Sequence, residues 1–321
     1  MNSRILLTGA TGFIGKSMAK RLFSDGYNIV SALRVHPTAQ LLSGEVIVVG
    51  DIGSNTDWSR ALSGVEFVVH CASRVHIMTD VSKNPLAEFR AVNVGGTISL
   101  AKQAAAAGVK RFIFLSSIKV NGESTISGHP FTADLPPNPA DPYAVSKYEA
   151  EMGLSAVSLE TGMEIVIIRS PLVYGPGVKA NFLSMLNLLF RRIPLPLGAV
   201  KDNRRSFVYL DNLVDLIVTC IKHPAAANQI FLVSDDDDLS TTSLLQRLAS
   251  NLGKPSKLIK VSPRLIQFGA SFIGKASIAQ RLCGSLQVDI KKTQDFLGWS
   301  PPVSLDDGLR QTAEHYLKTK T

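Results

Sequence analysis

Tyr143 and Lys147 stand four residues apart in "DPYAVSKYEAE", so on a helix both side chains leave the same face. A cation held beside a phenol favours the phenolate and draws its pKa down from about 10. Such a tyrosine can trade a proton with a carbonyl or an alcohol. The spacing by itself is common: Tyr316 and Lys320 repeat it near the end of the chain, where it reads as one face of a fraying helix. Context separates the two pairs. Ser116 and Ser117 close the apolar run "KRFIFLSS", and a hydroxyl at the end of that strand can share a hydrogen bond with a reacting oxygen.

A second spacing is that of Gly9, Gly12 and Gly15 in "TGATGFIG", directly after an apolar strand and opening a helix. The first glycine permits a tight turn, the second lets a pyrophosphate approach the backbone, and the third lets helix and strand pack closely. The helix end then offers free N–H groups to phosphates. "GASFIGKASIAQRL", residues 269–282, echoes residues 9–22 but lacks the middle glycine and follows no buried strand. It reads as an ordinary amphipathic helix.

These groups need elements to position them. "RILLTG", "YNIVSAL", "EVIVVGDI", "FVVHCAS", "KRFIFLSS" and "MEIVIIRS" are short apolar runs separated by helical or turn segments. That pattern predicts a parallel sheet covered on both faces, an α/β doubly wound domain. At the carboxyl ends of such strands ligands bind. From about residue 175 the pattern loosens into "NFLSMLNLLFRRIPLPLG", a strand "SFVYL", a helix from "DNLVDLIVTCIKH" and a strand "QIFLVS", then a mainly helical stretch. Residues 1–174, with 206–233 returning, are expected to form the sheet domain, and 175–205 with 234–321 a smaller cap. The run of four aspartates at 235–238 reads as a solvated acidic turn before a helix capped by Ser240 or Thr241.

Composition narrows the classes. With 321 residues, 45% of them hydrophobic, the chain can bury a large core. Cys71, Cys220 and Cys283 are too scattered for a disulfide framework or a metal site, which suits a reducing interior, and the reading is cytoplasmic. No apolar run reaches the roughly 18 residues of a membrane span, so no membrane insertion is expected. "NFLSMLNLLF" before Arg191 and Arg192 could lie in an anionic interface, but is expected to pack beside the substrate. The formal charge of +8 is spread in pairs such as "FRRIPLP" and "IKKTQDF", not interleaved with aromatics, so no nucleic acid is expected. A small phosphorylated ligand or a plain basic surface fits better.

"TGATGFIG", "GDI", "HCAS", "VNVGGT", "FLSSIKVNG", "DPYAVSK", "RSPLVYGPG" and "RRSFVYLDN" together resemble the successive motifs of the extended short-chain dehydrogenase/reductases, in their nucleotide-sugar epimerase and reductase branch. The resemblance implies a Rossmann sheet with a smaller, mainly helical C-terminal part that binds a nucleotide sugar. It implies Ser117, Tyr143 and Lys147 as the catalytic set. It also implies dinucleotide contacts at Thr8, Gly9, Thr11, Gly12, Phe13, Ile14, Asp51, Ile52, Ala72, Ser73, Asn93 and Ser116, with Tyr143, Lys147, Ser170, Pro171 and Val173. Sugar contacts are expected at Arg74, His76, Ser117, Lys119, Asn181, Arg205 and Arg281, and a homodimer through the sheet domain. One departure is Asn121, where the family's Ser-x-x-Val-Tyr-Gly segment has Tyr.

The related sugar 4,6-dehydratases carry acidic residues after the catalytic hydroxyl; here Ile118 and Lys119 stand there, which argues against dehydration. Two hydride-transfer reactions at C4 of a UDP sugar remain. Arg34, at the end of the second strand, replaces the acidic residue that would accept both ribose hydroxyls and repel a 2′-phosphate. It favours NADP(H) over NAD(H), and with it an NADPH-dependent reductase of a UDP-4-keto-6-deoxy-N-acetylhexosamine, giving a UDP-N-acetylquinovosamine-type product for surface polysaccharide. The alternative is an NAD-dependent UDP-hexose or UDP-N-acetylhexosamine 4-epimerase. A third reading is a non-catalytic NAD(P)-binding regulator.

Overall fold

The computed structural model describes residues 3–36, 44–75, 84–126 and 128–320. The chain begins with strand β1 (Arg4–Thr8), helix α1 (Phe13–Ser24), β2 (Asn28–Leu33), β3 (Glu45–Val48), a short α2 (Ser59–Leu62) and β4 (Phe67–His70). Next come α3 (Pro85–Phe89), a widened π turn (Arg90–Gly96) and α4 (Thr97–Ala106), in one continuous helical run, followed by β5 (Arg111–Ser117). Helix α5 (Pro142–Thr161) leads into β6 (Glu164–Ser170) and β7 (Leu172–Tyr174), and α6 (Ala180–Phe190) into β8 (Phe207–Tyr209), α7 (Leu210–Lys222) and β9 (Gln229–Leu232). The remainder is helical: α8 (Thr241–Asn251), α9 (Pro263–Phe272), α10 (Ala276–Cys283), α11 (Lys291–Leu297) and α12 (Leu305–Lys318).

Among the described residues seven strands form one parallel sheet in the order β3-β2-β1-β4-β5-β6-β9. Strand order reverses between β1 and β4, where a doubly wound sheet opens its ligand crevice. Alternate residues serve opposite faces, as a pleated strand dictates. Ile5 and Leu7 join Ile113 and Val166 with α1 and α7 on one face, while Leu6 joins Phe112, Leu100 and Leu154 with α4 and α5 on the other. A third core lies under the C-terminal helices, built on Tyr174, Phe182, Leu186, Leu248 and Leu309. Phe182, Leu186 and Leu189 point α6 into that core rather than into an interface.

Helix α5 is bounded by its own sequence. Asp141 caps it by accepting the Ala144 N–H at 2.7 Å, Pro142 takes the first helical position, and Gly162 ends it at φ 75°.

Three features depart from the sequence reading. Asp235, in the expected solvated run, is buried, accepting from the Tyr174 hydroxyl, the Tyr209 N–H and the Asn212 amide, and so ties β7, β8 and α7 together. Residues 269–282 are not one helix: Gly274, at φ 68°, breaks them into α9 and α10. Tyr316 does not fray but is buried, its hydroxyl donating to Asn187 Oδ1 at 2.8 Å.

Candidate active site

The loop between β1 and α1 needs glycine for two different reasons. Gly9 adopts φ 73°, and a Cβ there would lie 2.8 Å from the Ala72 nitrogen. A Cβ on Gly15 would stand 2.0 Å from the Gly9 carbonyl oxygen, because helix and loop meet backbone to backbone. Gly12 caps α1 without a side chain, and the first turn holds no acidic residue. The N–H groups of Thr11, Phe13 and Ile14 at this end are thus free of side-chain caps, and the positive helix end suits a diphosphate. Gly15→Ala is expected to cost about 1–3 kcal/mol by overpacking and to weaken dinucleotide binding. An unchanged unfolding midpoint would contradict the backbone contact.

At the neighbouring strand ends, Arg34 Nε lies 3.2 Å from Asp51 Oδ1, both side chains largely exposed. Such a pair is worth at most about 1 kcal/mol, so the guanidinium fork stays available to a phosphate. Ile52 is half-buried beside it.

Helix α5 brings Tyr143 and Lys147 to the ends of β4 and β5. Lys147 is 2% exposed. Its ammonium donates to the Leu115 carbonyl at 2.9 Å and lies 4.3 Å from the centre of the Phe114 ring. Burial pulls its pKa from 10.5 to about 8, with Cys71 and Glu151 acting in the opposite direction. Tyr143 is pushed up to about 12, first by burial and then by the carboxylate of Asp141, while the Ser73 hydroxyl works the other way. The lowered tyrosine pKa expected from the spacing is therefore not a property of the protein alone. The charge that acts on this phenol is an anion, and the neighbouring ammonium is drawn to a backbone carbonyl. Ser117 accepts the Lys119 N–H at 3.3 Å through its side chain, which leaves its own O–H to donate.

Several expected dinucleotide contacts turn inward. Asn93, in the π turn, accepts from the Ser73 hydroxyl at 3.0 Å and the Arg74 N–H at 2.8 Å. Its amide donates to the Arg74 carbonyl at 3.1 Å and to Ser146 Oγ at 3.0 Å. It thereby clamps the loop after β4 onto α5 next to Tyr143. A widened turn at a site is a recurrent functional device. Thr8 Oγ1 pairs with His70 Nδ1 at 2.8 Å and accepts the Ala72 N–H at 3.1 Å. Ser116 Oγ donates to Glu151 at 2.5 Å, and Ser170 Oγ to the Pro171 carbonyl at 3.3 Å. For Thr8, Asn93, Ser116 and Ser170 the side chain is thus engaged within the protein. Val173 packs half-buried against the sheet core.

Toward the cap, Arg205 donates to the Gly284 carbonyl at 3.1 Å, and its pKa falls to about 10 through burial and then through Arg281. No carboxylate neutralises Arg205 among the described residues. Two guanidiniums opposed in this way fit a diphosphate. Lys119 is committed elsewhere: its ammonium pairs with Asp141 and with Glu123, the latter at 3.3 Å, and Glu123 in turn lies 3.9 Å from Arg281. The expected sugar contact therefore competes with an ion-pair chain. Arg74 lies 5.8 Å from the Phe89 ring centre and 3.8 Å from Glu88, and Asn181 is exposed in the first turn of α6. His76 lies outside the described residues.

The model of the NAD dependent epimerase/dehydratase family matches residues 5–234. The chain belongs to that family. It is 48% identical over 319 residues, 99% of this chain and 97% of the other, to a protein of Vibrio cholerae named UDP-glucose 4-epimerase. It is 26% identical over 98% of its length to an Escherichia coli O157:H7 protein, 96% of which is covered, named N-acetyl-alpha-D-glucosaminyl-diphospho-ditrans,octacis-undecaprenol 4-epimerase. A Bacillus cereus UDP-glucuronic acid 4-epimerase, solved in complex with NAD, shares the fold at a TM-score of 0.77 and 23% identity, with 99% of this chain and 100% of that one covered.

Behind the site of this epimerase/dehydratase family member lies a group the sequence reading missed. Arg169 and Glu151 form a buried pair, Nη2 to Oε2 at 2.6 Å, and Arg169 Nη1 also reaches Asn121 Oδ1 at 3.0 Å. Asn121, whose amide donates to the Thr132 carbonyl at 3.0 Å, thus fills its departure from the family pattern with a role of its own. One signal was available: Glu151 follows Lys147 by four residues on the same helix face.

Proposed function

We propose that this chain is an NAD-dependent 4-epimerase of UDP-linked hexoses or N-acetylhexosamines. The observation that carries the reading is the 48% identity, over nearly the whole of both chains, to the Vibrio cholerae UDP-glucose 4-epimerase. It reverses the order drawn from Arg34, and the 4-keto reductase becomes the second reading. When bound, the dinucleotide supplies an acceptor for the hydride of C4 and a donor to return it. Tyr143 takes the proton of the C4 hydroxyl as the ketone forms and gives it back when the ketone is reduced. Lys147 supplies the positive charge that stabilises its phenolate. The Ser117 hydroxyl holds the same oxygen. Inversion requires the sugar to present each face of C4 in turn, so the firm grip must fall on the diphosphate, which Arg205 and Arg281 suit. A sugar diphosphate is also what the Escherichia coli relative's name describes. In this proposal residues 1–174 and 206–233 hold the dinucleotide, and 175–205 and 234–321 hold the sugar nucleotide. Homodimerisation through the sheet domain belongs to the same reading, supported by Met152 and Leu159, 57% and 89% exposed one face of α5 apart by seven residues. The cytoplasm is its expected location.

The purified protein with UDP-glucose, or separately UDP-N-acetylglucosamine, and a catalytic amount of NAD should interconvert the C4 epimers with no net change in reduced nicotinamide. Consumption of NADPH one for one with a UDP-4-keto sugar, without epimer exchange, would support the reductase instead. Arg34→Asp separates the cofactors. If the fork reads a 2′-phosphate, the variant loses roughly ten- to a hundredfold in NADP affinity and leaves NAD binding intact.

A further inference from the structure

The hairpin of α9 and α10 presents an apolar face that nothing in the chain covers. Leu265, Phe268 and Phe272 follow a helical repeat along α9, and the two rings stack edge to face at 4.7 Å. Phe268 is 64% exposed and Phe272 76%, values that a residue engaged in the core would not show. Ile273 and Ile278 extend the patch into α10. The opposite side of the hairpin is seated: Ile266 and Leu282 pack on the cap core. Scattered exposed apolar residues need no explanation, but a contiguous group of five within fourteen residues does.

The charge around this face identifies its partner. From Leu239 to Val288 the chain carries seven Lys and Arg and not one Asp or Glu. Arg247 and Arg281 meet carboxylates, and Lys254 lies over the Phe190 ring. Lys257, Lys260, Arg264 and Lys275 are exposed and make no ion pair among the described residues. Aromatic and aliphatic side chains rimmed by unpaired cations are the composition of a helix that lies in a bilayer interface. A symmetric contact between two copies would instead set two acid-free basic hairpins against each other.

We propose that the α9–α10 hairpin docks on the surface of an anionic phospholipid membrane, its Phe268 and Phe272 rings in the acyl boundary and its lysines at the headgroups. No helix of the described residues is long and apolar enough to cross a membrane, so the attachment is peripheral. The proposal stands apart from the reaction, and its test does not use activity.

The full-length protein should sediment with vesicles of phosphatidylcholine containing about 30% phosphatidylglycerol and far less with phosphatidylcholine alone, the binding falling as salt is raised. Phe268→Ser with Phe272→Ser should weaken binding by roughly tenfold or more, with the thermal midpoint unchanged because both rings are exposed. A second measurement uses Phe268→Trp. Trp58 and Trp299 are both buried, so a blue shift of emission on adding the anionic vesicles reports entry of position 268. Absence of vesicle binding, binding undiminished in the double variant, or an unshifted tryptophan would each overturn the proposal. So would a wild-type dimer in the absence of lipid that the double variant converts to monomer.

Discussion

Tyr143→Phe lowers kcat by about 10²–10⁴-fold while the fold and dinucleotide binding persist, because the ring is kept and only the proton-carrying oxygen is lost. The pH profile of the wild type locates its partner. Lys147 titrates near pH 8 in the folded protein, pulled down from 10.5 by burial. Its charge is present below that pH and disappears above it, so kcat/KM should fall with unit slope above about pH 8. Stability moves the other way. Between pH 8 and 10.5 the unfolded chain binds a proton at this lysine that the folded chain does not, so this residue's contribution to stability improves as pH rises through that interval. Lys147→Met should therefore be inactive, and should reduce the rise seen on comparing wild-type melts across the same window. A wild-type activity plateau extending past pH 10 would contradict the lowered lysine, and full activity of the Tyr143→Phe protein would remove the proposed acid–base role.

Arg169→Ala destabilises the protein by roughly 3–5 kcal/mol, the largest loss of stability expected from any single change discussed. Glu151 and Arg169 are both almost wholly buried, and removing the guanidinium strands a carboxylate with only Ser116 to donate to it. Asn121 Oδ1 loses its donor at the same time. Replacing both ions, with Arg169→Met and Glu151→Leu together, should recover part of that loss, since the desolvation of two charges is then avoided as well. Urea unfolding of the two variants beside wild type measures this directly. A single variant within about 1 kcal/mol of wild type would mean that the pair behaves like a surface bridge. Because Ser116 precedes Ser117 and Glu151 lies one turn beyond Lys147, the single variant should also lose activity before it loses its fold.

The sequence by itself determined what depends on short spacings. Three glycines after an apolar strand specify a turn that no side chain could enter, and Gly15 against the Gly9 carbonyl bears this out. Alternation within short apolar runs specifies strands with two buried faces, and the parallel sheet follows. A four-residue separation puts Tyr143 and Lys147 on one helix face wherever that helix lies. Tertiary structure decided which distant groups meet. Asp235 looked solvated because its neighbours are acidic, yet it is buried where β7, β8 and α7 converge. Lys119 looked free for a sugar, but Asp141 and Glu123 take its charge. The phenol of Tyr143 was expected to ionise more easily, and burial beside Asp141 raises its pKa instead. In each case the governing quantity is desolvation or the distance to a charge far along the chain. Neither is contained in local pattern; both follow only once the sheet has closed and the cap has packed against it.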